Sequence, residues 1–273
     1  MSSIIQSLWI EGELSPIEQL SLKSFLRNHH EVHLYHYGEV FGVPKGVMLK
    51  DARTVIAESR IFKARGSYAA FSDLFRMVML QQYGGYWVDT DVICLKHFDF
   101  AEDSEVYAWE DDELIGSAVL KLNPNNYALA EIIKRFDKPW LFRDLNFKTV
   151  PNSWKNSDSK VALFKQFICE YDRRQIYYEN TKWGGVGEPI TLTELMKKYN
   201  LATKALDFNR FFPIHYTEWF SIFYDGNLLG KLDLSPTYAV HLWNNCFKNY
   251  SGFDKQKPFQ KGSLIHYWFD KYK

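Results

Sequence analysis

The stretch Tyr83-Gly84-Gly85-Tyr86-Trp87-Val88-Asp89-Thr90-Asp91-Val92-Ile93 sets two glycines, an apolar run and two acids one residue apart in immediate succession. Ahead of it, Ala69 to Tyr83 has helical period, with Phe71, Leu74, Phe75, Val78 and Met79 as its apolar stripe. Gly84-Gly85 stops that helix, and glycine's freedom allows a tight reversal into the next element. Tyr86 to Leu95 then reads as a strand whose period of two places Asp89 and Asp91 on one face. Two carboxylates directed the same way beside apolar surface repel each other. A divalent cation removes that conflict, and hard, oxygen-ligated Mg²⁺ or Mn²⁺ keeps coordination positions for phosphate oxygens.

An acidic pair alone is weak evidence, because D-x-D has about an even chance of arising somewhere in a chain this long. Its neighbours sharpen it. Asp73 and Arg76 lie three apart and so share a helix face. On an open surface they would form an ion pair of little consequence. On an apolar helix leading into an acidic strand, they can recognise sugar hydroxyls and hold negative oxygens.

Outward from this segment the pattern is α/β. Ile4 to Ile10 is a short apolar strand, and Ser15-Pro16-Ile17-Glu18 is a helix start, with Ser15 as cap and Pro16 in the first turn. The helix runs to about Asn28, with Leu20, Leu22, Phe25 and Leu26 inward, and Val32 to Tyr37 is the next strand. Strand, helix, strand at this spacing begins an α/β sheet. Farther on, Ala118–Leu122 reads as a strand and Tyr127–Phe136 and Ser159–Tyr171 as helices. Thr191–Tyr199 reads as another helix, opened by a threonine cap with Glu194 three residues later. There is no internal repeat or low-complexity linker, so a single domain over residues 1–273 is expected.

Composition narrows the classes. The chain has 33 Lys plus Arg and 33 Asp plus Glu, a balance that argues against a partner bound through nucleic-acid phosphates. Nine Trp, 17 Tyr and 21 Phe fill a large core and also suit stacking on bases and sugar rings. Cys94, Cys169 and Cys246 are far apart and form no C-x-x-C pair, which supports neither a zinc ribbon nor a disulfide framework. With no signal-like amino terminus and no run of about 18 apolar residues, a cytoplasmic, soluble protein is expected.

Phe71-Ser72-Asp73-Leu74-Phe75-Arg76 followed by Tyr83-Gly84-Gly85-Tyr86-Trp87-Val88-Asp89-Thr90-Asp91 resembles the signature of glycosyltransferase family 32. That family includes bacterial polysaccharide glycosyltransferases and fungal mannosyltransferases, and is related to large clostridial glucosylating toxins. The resemblance implies a GT-A nucleotide-diphospho-sugar transferase fold, with a central mixed sheet flanked by helices. Residues 1–100 would then be mainly the nucleotide- and metal-binding half, and residues 101–273 mainly the acceptor side. It also implies that Trp9 stacks on the nucleobase, that Ser72 and Asp73 contact ribose and donor sugar, and that Arg76 contacts the donor sugar. Asp89 would approach ribose and metal-bound water, and Asp91 would ligate the Mn²⁺ or Mg²⁺ directly. UDP is favoured over GDP by the Trp9 context, and retention at the anomeric carbon is implied by the family.

Such transferases close the metal site from far down the chain, often with H-x-W, and Val240-His241-Leu242-Trp243-Asn244-Asn245 supplies that element. His241 is expected on the metal and Trp243 on the diphosphate side; a satisfied core histidine is the competing reading. In Trp183-Gly184-Gly185-Val186-Gly187-Glu188-Pro189 the family's Gly-Pro element is interrupted by Glu188, which either assists an acceptor hydroxyl or caps the next segment. Gly116-Ser117 stands where the family more often has asparagine. The tail from Lys255 to Lys273 mixes lysines with aromatics, suiting either a packed terminal helix or a peripheral membrane contact.

The function these features lead us to expect is transfer of a hexosyl unit from a nucleotide sugar to a saccharide or lipid-linked saccharide in bacterial surface polysaccharide synthesis. The alternatives are an effector that glycosylates a host protein and a non-catalytic nucleotide-sugar or carbohydrate-binding protein. A nucleotidyltransferase would carry a basic, glycine-rich phosphate loop, and Glu11-Gly12-Glu13 is not one.

Overall fold

The computed structural model describes residues 4–64, 66–102, 104–137, 189–247, 250–256 and 259–273. In chain order the strands are β1 (Ile5–Leu8), β2 (Gly12–Glu13), β3 (Val32–His36), β4 (Val40–Phe41), β5 (Met48–Asp51), β6 (Tyr86–Val88), β7 (Val92–Cys94), β8 (Val119–Leu120) and β9 (Ala239–His241). The α-helices are α1 (Pro16–Arg27), α2 (Ala69–Tyr83), α3 (Tyr127–Asp137), α4 (Ile190–Lys198), α5 (Trp219–Tyr224), α6 (Leu228–Lys231), α7 (Asn244–Phe247) and α8 (Leu264–Lys271).

The central sheet has the order β5-β3-β1-β6-β8. Four strands are parallel, and β8 runs antiparallel to β6 at the edge. Alternate side chains serve two layers. Tyr86 and Val88 join the core against α1 and α8, whereas Trp87 joins the core against α2, α3 and α4. The expected α/β class, a mixed sheet between helices, is therefore what the chain forms. The stripe on α2 is buried at Phe71, Leu74, Phe75 and Met79, each contributing roughly 1.5–3 kcal/mol by leaving water.

The entry to α1 follows its sequence signal. The Ser15 backbone N–H donates to Glu18 Oε2 at 2.9 Å, and the same carboxylate takes the Ser15 hydroxyl and an ion pair from Lys255. Hydroxyls on α1 then fix β7: Ser21 Oγ donates to the Val92 carbonyl at 2.6 Å, and Ser24 Oγ accepts from the Cys94 N–H at 2.8 Å. Past α2 the backbone reverses through Gly84 and Gly85 at φ 63° and 77°, and a Cβ on Gly85 would lie 2.7 Å from Gln6 Nε2.

Three expectations need correction or placing. The strand expected over Tyr86–Leu95 is two strands in two sheets. It breaks at Asp89-Thr90-Asp91, and β7 leaves the central sheet to pair with β9. Strand alternation therefore does not align the two acids; the turn does, closed by the Val92 N–H on the Asp89 carbonyl at 3.2 Å. The helix expected from Thr191 begins at Ile190, with Pro189 in the cap position, and the Thr193 hydroxyl donates to the Pro189 carbonyl at 2.9 Å. The helix expected over Ser159–Tyr171 and the loop from Trp183 to Glu188 lie outside the described residues. At the other end, α8 buries Leu264, Ile265 and Trp268, and just beyond it the Tyr272 hydroxyl donates to the Cys94 carbonyl at 2.8 Å.

Candidate active site

The acidic turn is held from the α2 side by a guanidinium. Asp89 Oδ1 accepts from Arg76 Nη2 at 2.7 Å and from the Trp87 indole N–H at 2.7 Å. Arg76 lies 3.7 Å from Asp73 and sits over the Trp87 ring at 5.0 Å, with only 4% of its side chain exposed. The expected i,i+3 pair thus becomes a buried Arg76 clamped between two carboxylates, far from a solvated surface pair. Burial, opposed by Arg76 and reinforced by Asp89, pushes the Asp73 carboxyl up to about 7.

Asp91 is fixed from the opposite side by residues about 150 positions away. Val92 pairs antiparallel with His241, and the Leu242 N–H donates to the Asp91 carbonyl at 2.9 Å. This register brings His241 Nε2 to 3.3 Å from Asp91 Oδ2, which also accepts the Asn244 N–H at 2.7 Å. Burial works to raise the Asp91 carboxyl, but attraction to His241 and the hydrogen bonds from His241 and Asn244 outweigh it and hold it below the ordinary range. Burial works to lower His241, and Asp91 with its neighbouring acids carries the imidazole above its ordinary value.

Asp89, Asp91 and His241 each offer one ligand atom, all within 4.8 Å of one another. His241 Nδ1 and Asn244 Oδ1 are buried and have no hydrogen-bond partner among the described residues. Four carboxyls, those of Asp73, Asp89, Asp91 and Glu110, face Arg76 and His241, a local excess of negative charge. Two carboxylates and an imidazole suit Mn²⁺, which accepts nitrogen more readily than Mg²⁺ does, so these residues fit a divalent cation.

The remaining expected residues occupy different stations. Trp9 follows β1, which runs parallel to β6, so Trp9 and Asp89 leave the sheet at the same carboxyl edge. In open α/β sheets that edge is where ligands bind. The Trp9 indole N–H is buried with no partner among the described residues. Ser72 is half-buried beside Asp73 in the first turn of α2. Trp243 is buried at φ 63°, donates its indole N–H to the Ile214 carbonyl at 2.8 Å, and keeps its ring centroid 4.3 Å from that of His241. Glu188 lies outside the described residues.

Glu110 is a site residue that the sequence pattern did not single out. A Cβ on Gly116 would lie 2.3 Å from Phe212 Cζ and 3.0 Å from Glu110 Cβ, so Gly116, Phe212 and Glu110 make one continuous wall. Phe212 meets the His241 ring edge-on at 5.7 Å. Burial pushes the Glu110 carboxyl up to about 7, with His241 opposing and Asp111 and Asp89 reinforcing. In sequence it heads the acidic run Glu110-Asp111-Asp112-Glu113, which has the look of a solvated turn. The only local signal is the apolar pair flanking that run, Trp109 and Ile115, which bridge antiparallel.

Residues 18–115 match the family described as glycosyltransferase sugar-binding region containing DXD motif. The acidic turn therefore lies in a sugar-binding region of the glycosyltransferase type, matched over less than half of the chain. The region matched holds α2, Arg76 and both acids of the turn; Trp9 and His241 lie outside it. Among solved structures, this chain is similar to the PaToxG glycosyltransferase at 15% identity and TM-score 0.42, over 75% of this chain and 87% of that one. It is similar to the apo form of the glycosyltransferase GlyE of Streptococcus pneumoniae TIGR4 at 12% identity and TM-score 0.49. A second GlyE structure gives 13% identity and TM-score 0.46. Both GlyE matches cover 99% of this chain, which spans 60% of the GlyE chain. No curated protein matches the chain. Among the described residues, no helix is long and apolar enough to cross a membrane.

Proposed function

We propose that this protein is a metal-dependent, retaining glycosyltransferase that moves a hexosyl unit from a UDP-sugar to a saccharide acceptor in bacterial surface polysaccharide synthesis. The observation that carries the reading is the convergence of Asp89, Asp91 and His241 beside the buried Arg76. Asp91 and His241 would hold Mn²⁺ directly, with Asp89 placed for ribose or metal-bound water. When bound, such a cation acts as a Lewis acid that stabilises the negative charge of a departing diphosphate. Arg76 fixes the Asp89 carboxylate, and Asp73 and Ser72 present polar atoms beside it for ribose and sugar hydroxyls. Trp9 gives the nucleobase a ring to stack on at the same sheet edge. Glu110, for whose carboxyl the described residues provide no hydrogen bond, is placed to accept one from a sugar hydroxyl. A lipid-linked acceptor would bring the enzyme to the membrane surface, with the exposed Tyr267 and Lys271 of α8 available for contact.

The test is a screen of UDP-glucose, UDP-galactose, their N-acetylamino counterparts and GDP-mannose, each with Mn²⁺ and no acceptor. Slow release of UDP from at least one donor, stopped by EDTA and restored by Mn²⁺, is the expected result. The absence of both hydrolysis and thermal stabilisation with every nucleotide sugar would contradict the reading.

A further inference from the structure

An array of aromatic rings runs from His241 through Trp243 to exposed rings, and beyond Trp243 the proposed donor chemistry makes no use of it. From His241 the contacts run to Trp243, with centroids 4.3 Å apart, and from Trp243 to Tyr216 at 6.0 Å in an edge arrangement. His215 lies against the other side of Tyr216 at 4.2 Å. The chain then turns through a short 3-10 segment, Tyr216–Glu218, directly into α5. Phe220 and Tyr224 are four apart in α5, the spacing that puts side chains on one side of an α-helix, and Tyr216 precedes them in the adjoining 3-10 turn. Phe220 and Tyr224 stack at 4.7 Å, while Ile222 and Phe223 turn into the core. Tyr216 is 45% exposed and Phe220 52% exposed, although both belong to a segment with apolar core directly beneath it.

We propose that Tyr216, Phe220 and Tyr224 form a stacking track for the acceptor saccharide, its inner end at Tyr216, which packs against the buried Trp243 beside the proposed metal site. The proposal rests on the reading that the acceptor is a saccharide. Pyranose rings offer an apolar C–H face that lies flat on an aromatic ring, and hydroxyls at the rim that seek polar neighbours. The track offers both, because Thr217, Glu218 and Ser221 intervene between the rings. Charge decides against an anionic partner. From His215 to Asp225 the segment carries Glu218 and Asp225 and no lysine or arginine, whereas anionic lipid or nucleic-acid surfaces call for a basic face. Continuity with His241 through Trp243 ties the track to the proposed transfer site, since Tyr216 is one ring removed from the ring that packs on His241.

The test uses the full chain with Mn²⁺ and UDP, and a panel of neutral probes: malto-, cello-, manno- and galactotetraose. Saturation-transfer NMR should detect binding of at least one, and Tyr216→Ala and Phe220→Ala should each weaken it about tenfold or more. Tyr216→Phe and Phe220→Tyr, which keep the ring, should restore it, and Tyr127→Ala at an exposed ring remote in sequence should leave it unchanged. Unfolding midpoints near that of the wild type show that the alanine variants are folded. Absence of binding to every tetrasaccharide overturns the track, as does binding indifferent to both alanine variants. Adsorption to phosphatidylglycerol vesicles that Tyr216→Ala abolishes, without glycan binding, overturns it in favour of a membrane face. Failure of the donor screen while the ring variants lose tetrasaccharide binding would instead indict the transferase reading and leave the glycan track standing.

Discussion

Asp91→Asn is expected to lower turnover by about a thousandfold or more, roughly 4 kcal/mol of lost transition-state stabilisation, in a protein that still folds. The substitution keeps shape and keeps an oxygen to accept the Asn244 N–H, so the entry into α7 retains its anchor. What disappears is the negative charge between His241 and the acidic turn. A cation held as proposed would lose its carboxylate ligand, and the imidazole loses the partner that raises its proton affinity. Turnover of the responsive UDP-sugar, measured alongside the unfolding midpoint, separates the two effects. A folded Asp91→Asn enzyme within tenfold of wild type would show that Asp91 does not hold the catalytic cation.

Arg76→Ala is expected to be the most damaging substitution for stability among the site residues. Its guanidinium is buried between Asp73 and Asp89 and over Trp87, so its removal leaves two neighbouring, largely buried carboxylates without the cation between them. Breaking such a buried pair costs about 3–5 kcal/mol, because the remaining charge is left uncompensated. For a chain of this size that corresponds to a fall in the unfolding midpoint on the order of 10 °C. Arg76→Lys should recover only part of the loss, since an ammonium can replace the charge that Nη2 brings to both acids but not the flat guanidinium over the Trp87 ring. Thermal unfolding by circular dichroism checks both variants. An Arg76→Ala midpoint within a degree or two of wild type would mean that the buried pair contributes little to the fold.

Much of the donor side was legible because its signals are local. The stripe of α2, the Gly84-Gly85 stop, the cap at Ser15 and the Asp73–Arg76 spacing each depend on residues within a turn or two of one another. The broken strand was not legible. Tyr86–Val88 and Val92–Cys94 are both fully buried, so the apolar run is continuous although the backbone changes sheets between them. The consequence is physical: a turn, unlike a strand face, lets Asp89 be tied to Arg76 while Asp91 is tied to His241. The H-x-W resemblance singled out His241, but only the β7–β9 register places it, and non-local pairing leaves no mark on hydrophobic period. Glu110 was hidden by its acidic run, and the buried Asn244 Oδ1 by its place directly after H-x-W.

Electron spin echo spectroscopy of Mn²⁺ bound to the wild-type protein tests most directly whether Asp91 and His241 share one ion. The expected spectrum carries modulation from a directly coordinated nitrogen, and this disappears in His241→Gln as the Mn²⁺ affinity falls about tenfold or more. Mn²⁺ bound without nitrogen modulation, or modulation and affinity unchanged in His241→Gln, would contradict the proposed metal centre.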